Sequence, residues 1–349
     1  MKLMEKKDIV NKLTNVLNSD EEIDLTLSYS KISDFDRNGA IALIRPSNVD
    51  NAGLKLGSLV DDLLFNDKKY FDENYYIFDG EKPTASLGVL CDVILKNYLT
   101  LPNNIDDILD IIKTNKLWSN IKDSNSLIKK FDNSEFWSYL DCMYECSDRV
   151  LITNSEYNSA LELVSILKEH SYSKHILDNE HENIYQLKFE TKYKEFKLRG
   201  IIDITTIDHK NKIVYLTDLK TGKNTAMEFQ ESFIKWRYYI QGAVYKLAFN
   251  EICKHFKLKG YILAPFQFLY ISKSDKTPLL YKMTEKWMDA ANNGFSIHGY
   301  QYRGLNTLID NIYWCWKNKE YNIPKYIVEN NGVVELNDNF LTVVNDGDI

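Results

Sequence analysis

Residues 196–221, FKLRGIIDITTIDHKNKIVYLTDLKT, decide the fold. Two runs rich in Ile, Val, Tyr and Thr, 196–208 and 211–221, are parted by His209-Lys210-Asn211-Lys212, a polar break that reads as a hairpin turn between two strands. Strand side chains alternate between faces. Asp218 and Lys220 therefore fall on one side of the second strand with Leu219 opposite, and in a hairpin Asp203 can face Asp218. Two carboxylates at one strand end form a hard-oxygen site suited to Mg2+ or Mn2+. A lysine two residues on can orient a water or stabilise charge on a phosphate. The competing reading is a surface hairpin whose polar residues alternate outward.

Working outward, NIYQLKFET (183–191) and YILAPFQFLYISK (261–273) read as further strands. Between them FQESFIKWRYYIQGAVYKLAFNEICKHF (229–256) reads as one long helix, with Gln241 and Tyr245 four apart and so on one face. Helices are expected near 278–293 and 303–319. Upstream, residues 2–18 read as a short helix, SYSKISDFDR (28–37) as a serine-capped helix and LKLGSLVDDLLF (54–65) as an amphipathic one; 84–180 is mostly helical, and polar breaks near 66–75 and 171–182 read as loops. Nothing looks like an interdomain linker. The expectation is one α/β domain over 1–349, with a helical N-terminal elaboration, a helical insertion at 84–180 and a catalytic core at 184–275.

Gly57–Asp61 (GSLVD), Gly200–Asp203 (GIID), Asp218–Thr221 (DLKT) and Gln241–Tyr245 (QGAVY) resemble, in order and interval, the motifs of the PD-(D/E)XK nuclease superfamily, and within it the RecB-like and RecE-like exonuclease branch. The serine-led SYSKISDF segment is similar to the N-terminal part of RecE-type phage nucleases. The resemblance implies a restriction-endonuclease-like mixed sheet flanked by helices. It implies a Mg2+-dependent (or Mn2+-dependent) DNA exonuclease of a phage-type recombination, replication or DNA-processing module. Asp203, Asp218 and Lys220 would be catalytic; Asp61, Asp203, Asp218 and the Leu219 carbonyl would hold the metal; Gln241 and Tyr245 would line the DNA cleft. The branch usually has histidine at the position of Asp61 and glutamate at that of Asp218; aspartate at either place can still ligate Mg2+. Other readings stay open: an endonuclease, or a nuclease-fold DNA-binding or structural protein of a larger assembly. DNA is the expected partner, with a single-strand annealing or recombination protein and a homo-oligomer as further possibilities.

Composition sets the outer bounds. Of 349 residues, 44% are hydrophobic and 13% aromatic, enough for a sizeable core and unlike a disordered or fibrous chain. No apolar run approaches a membrane span, and the amphipathic start MKLMEKKDIVNKL is unlike a signal peptide, so a soluble chain of the cytoplasm (the host's, if phage-encoded) is expected. The net charge of −7 gives no nucleic-acid footprint by itself, but Thr191–Gly260 carries 14 Lys and Arg against 7 Asp and Glu, a local excess of +7. This is either a solvated face or a basic cleft. Five scattered cysteines, with Cys142 and Cys146 at helical spacing, fit neither a disulfide framework nor a zinc site, and no iron–sulfur cluster is expected. Trp236 reads as a core residue and Arg237 as a group able to reach a phosphate.

Overall fold

The computed structural model describes residues 26–44, 52–83, 85–97, 102, 104–146, 149–178, 180–323 and 325–333. The expected helix at 2–18 lies outside them. The strands, in chain order, are β1 (Thr26–Ser28), β2 (Tyr75–Phe78), β3 (Val150–Thr153), β4 (Glu182–Tyr193), β5 (Phe196–Asp208), β6 (Ile213–Gly222), β7 (Ile262–Leu263), β8 (Gln267–Ser272), β9 (Pro278–Lys282), β10 (Phe295–Ile297) and β11 (Tyr300–Tyr302). The chain divides into two compact units, one within residues 54–165 and one built from the 26–44 segment and residues 166–333.

The first unit is mostly helical. Asn104, Asp123 and Asn133 each cap a helix (Ile105–Thr114, Ser124–Phe131, Ser134–Glu145) by accepting a backbone N–H with the side chain. These helices bury Ile108, Ile112, Phe131, Phe136 and Leu140 against Leu90 and Ile94 of Ala85–Asn97. β2 and β3 form a parallel pair. Lys68–Asn74, expected as loop, is a helix: Asp67 accepts the Tyr70 N–H at 2.8 Å, and Phe71 is buried between the rings of Tyr75 and Tyr157.

The second unit carries a seven-stranded mixed sheet in the order β1-β5-β6-β8-β9, with β4 also on β5 and β7 on β6. The expected hairpin is present: β5 and β6 pair antiparallel from Ile204↔Thr217 to Asp208↔Ile213. Beyond Thr217, β6 leaves β5 and runs parallel to β8 from Thr217 to Gly222. β1 takes up the same edge of β5 lower down, in register with Lys197–Arg199. The stretch Gly200–Asp203 is thus left in a fork between β1 and β6. This fork is the feature on which the site is built.

Two expectations are corrected by packing. The segment 278–283, read as helix, is strand β9, antiparallel to β8, and the helix starts only at Glu285 after the Thr284 cap. The long helix at 229–256 is three: Phe229–Lys235, Tyr238–Leu247 and Phe249–His255. The first break is at Arg237, which is left-handed at φ 62°. Its cause is tertiary. The Trp236 carbonyl turns out of the helix to accept Tyr29 Oη at 2.6 Å and Ser33 Oγ at 3.0 Å from the helix Tyr29–Asn38. Asp36 of that helix, with a side chain only 4% exposed, accepts Arg237 Nε at 2.5 Å and Arg303 Nε at 2.7 Å. The serine-capped helix thus clamps the break and sets the direction of Tyr238–Leu247. Gly200 allows that helix to close on the sheet: a Cβ there would stand 2.9 Å from the Tyr245 ring and 2.6 Å from Phe189.

Asp36→Ala would leave two arginines facing each other without their shared carboxylate. We expect a loss of about 2–3 kcal/mol, below the figure for a fully buried pair because Arg303 is part-exposed. Denaturant titration checks it, and a shift under about 0.5 kcal/mol would mean the clamp contributes little.

Candidate active site

The β5–β6 register runs out one step before Asp203 and Asp218, so the two residues that continue it face each other where the ladder opens. In place of a ladder bond, the Leu219 N–H donates to Asp203 Oδ2 at 2.8 Å. An extended residue presents its N–H and C=O to the same edge, so the Leu219 carbonyl shares the fork. Asp203 Oδ1 accepts from Gln186 Nε2 at 3.1 Å. Asp218 is 2% exposed, and its Oδ1 accepts Gln241 Nε2 at 2.5 Å. The other oxygen, Oδ2, is buried and takes no directional hydrogen bond; the Lys220 ammonium lies against it as an ion pair. Lys220 Nζ also sits 5.0 Å from the centre of the Tyr238 ring, which in turn packs on Tyr29.

Electrostatics follow from this crowding. Burial, and then the charge of Asp218, push Asp203 up to about 7, against the opposing pull of Lys220 and two hydrogen bonds. Burial also raises Asp218, partly offset by Lys220 and by the contacts with Asp203 and Gln241. For Lys220 burial pulls downward, but the charges of Asp218, Tyr238 and Asp203 outweigh it and hold the ammonium protonated. Two carboxyls within hydrogen-bonding reach of each other cannot both ionise cheaply in a partly buried fork. A proton or a cation must sit with them. The donor set is carboxylate and carbonyl oxygen, and the Lys220 ammonium is the group that lies on Asp218 Oδ2. The residues therefore fit a hard divalent cation. Among the described residues no group of three or more His, Cys, Asp or Glu side chains gathers for a metal, so this pair with the Leu219 carbonyl is what the fork itself offers.

The sequence-derived residues are placed as follows. Asp203, Asp218, Leu219, Lys220 and Gln241 come together. Tyr245 is buried one helical turn beyond Gln241, edge-on to Phe189. Arg237 gives its guanidinium to Asp36 and to the carbonyls of Ile234 and Lys235. Trp236, expected in the core, is 38% exposed, between the cations of Arg37 and Lys235; the out-turned carbonyl carries its ring to the surface. Asp61 belongs to the helix Ala52–Phe65 of the first unit, next to Asp62, which accepts the Tyr75 hydroxyl at 2.6 Å. Sequence reasoning missed Gln186, Tyr238 and Tyr29. Only Gln186 left a signal: counting back from the β4–β5 turn sets it opposite Asp203.

Residues 135–296 match the family model of the PD-(D/E)XK nuclease superfamily, and the central mixed sheet with flanking helices is the restriction-endonuclease-like fold that the motifs implied. The matched span holds Asp203, Asp218, Lys220 and Gln241, and it supports a nuclease, a hydrolase of phosphodiester bonds. A crystal structure of a candidate exonuclease from Eubacterium rectale is similar at a TM-score of 0.44 and 13% identity, over 97% of this chain and 96% of that one; at that score the likeness bears no weight. No curated protein matches the chain. No described helix is long and apolar enough to cross a membrane.

The raised Asp203 has a consequence for the metal-free protein. An unfolded Asp titrates near 4, so the proton held in the folded state favours folding at low pH, and that contribution is lost as pH rises toward about 7. In EDTA, Asp203→Asn should remove this loss, so that its melting temperature exceeds that of the wild type by more at pH 8 than at pH 5. Parallel pH profiles for the two proteins would contradict it.

Proposed function

We propose that this protein is a divalent-metal-dependent deoxyribonuclease, acting as an exonuclease on DNA ends. The observation that carries the reading is the Asp203–Asp218–Lys220 cluster at the β5–β6 fork, two carboxylates held together with one oxygen left to an ammonium alone. Asp203, Asp218 and the Leu219 carbonyl would hold Mg2+ or Mn2+. When bound, the ion supplies a Lewis acid for a phosphoryl oxygen and a water of lowered pKa. The chain supplies orientation and charge. Gln241 fixes the plane of the Asp218 carboxyl and Gln186 that of Asp203. Lys220, protonated and part-exposed over the Tyr238 ring, offsets negative charge as it develops on the phosphate. Gln241 and Tyr245 are buried and would back the cleft from behind, and Arg237, its guanidinium held by Asp36 and the Ile234 and Lys235 carbonyls, would steady the helix that carries them. The exonuclease preference and a setting in phage-type recombination, replication or DNA processing rest on the RecB-like and RecE-like motifs.

The test is incubation with linear and closed-circular DNA in Mg2+, Mn2+ or EDTA. Loss of linear DNA alone supports the exonuclease. Nicking of circles makes it an endonuclease. Binding without cleavage makes it a nuclease-fold binding protein. Asp203→Ala and Asp218→Ala should abolish cleavage in folded protein, and Asp61→Ala in the same assay tests the further ligand that the resemblance implies.

Lys220→Ala should lower kcat by about 100-fold or more, the scale of a lost charge-stabilising donor, with DNA affinity changed far less. Single-turnover rates against binding in Ca2+ separate the two. An equal loss in both would make Lys220 a plain phosphate contact.

A further inference from the structure

The β4–β5 ribbon has one face in the core and one in solvent. Phe189, Phe196, Leu198 and Ile202 are buried. On the other face the cross-strand pairs Lys192↔Lys197, Glu190↔Arg199 and Lys188↔Ile201 are exposed at every position. The next residue of that face on β5 is Asp203, two positions beyond Ile201. Four cations stand there against a single carboxylate, Glu190, which lies 3.9 Å from Lys197. In a chain of net charge −7 a face that only solvates the protein has no reason to be positive. Ile201, 41% accessible, stands on the same face two positions before Asp203. The ribbon is also fixed at its tip: Tyr193 Oη donates to Asn306 Oδ1 at 2.5 Å and Lys194 Nζ to Asp310 at 2.5 Å.

We propose that this face is the track along which the DNA backbone runs into the cleft, with Lys188, Lys192, Lys197 and Arg199 on successive phosphates and Ile201 against the sugar or base nearest Asp203. The proposal rests on the nuclease reading and says which surface takes the substrate. Lys197 to Asp203 spans about 20 Å of strand, and same-face residues along it stand about 7 Å apart, on the order of one phosphate-to-phosphate step of a DNA strand. Contacts of this kind read no sequence, as end-degradation requires. A cation face beside a lone apolar side chain suits a backbone followed by an exposed sugar or base.

The experiment compares wild type with Lys188→Ala/Arg199→Ala and with Lys192→Glu. Binding of a fluorescent DNA duplex is measured in Ca2+ across a salt series, with circular dichroism to confirm folding. Lys129→Ala/Lys130→Ala of the first unit serves as the control. The double ribbon variant should weaken binding and make the slope of log K against log salt shallower by about 1 per cation removed, while the control keeps both. Lys192→Glu should weaken binding at low salt and recover toward wild type at high salt. Folded ribbon variants with wild-type affinity and slope would overturn the track and leave the nuclease reading standing. A wild type that neither binds nor cleaves DNA would overturn both.

Discussion

The repulsion between Asp203 and Asp218 is the constraint from which the rest of the second unit follows. Continuing the antiparallel ladder would set the two carboxylates side by side on one face with no group between them. Here β6 leaves β5 at Thr217 to join β8, and the pair is kept facing across the gap. The cost is borne by four groups: the Leu219 N–H and Gln186 on Asp203, and Gln241 and Lys220 on Asp218. None of these removes the charge that ionising both carboxylates beside one lysine would leave. On the proposed reading that charge, in a partly buried fork, would draw a cation, and the lysine beside it would act on a phosphate.

Distant parts of the unit serve that arrangement. Gln241 reaches Asp218 because Tyr238–Leu247 starts afresh after Arg237 instead of continuing the preceding helix. The restart is held by Asp36, Ser33 and Tyr29, some 200 residues earlier in sequence. The same helix contributes Tyr29 to the ring pair under Lys220. Segments with no chemistry of their own thus fix the angle at which the amide meets the carboxylate.

Much of this was legible in the sequence. Alternation of Ile, Val and Thr on both sides of a polar turn gives the hairpin, period two puts Asp218 and Lys220 on one side of their strand, and the hairpin lets Asp203 face Asp218. The serine cap before Tyr29 and the Gln–Tyr spacing were equally plain. The break at Arg237 was not, because arginine carries no local preference for a left-handed backbone and the groups that impose it lie far upstream. TPLLYK could be read as helix because its short apolar run has no clear period; only pairing with β8 decides it. Trp236 misled for the same reason as Arg237: without the break, its position points inward. Gln186 hid because a lone polar residue in a strand means nothing until the register is known.

The most direct measurement is the anomalous-scattering map of crystals soaked in Mn2+. The account predicts a peak in the β5–β6 fork touching both Asp203 and Asp218, on the Leu219 carbonyl side, with Lys220 no longer paired solely with Asp218. An empty fork at saturating Mn2+, or carboxylates still bridged by the lysine with the metal bound elsewhere, would contradict it.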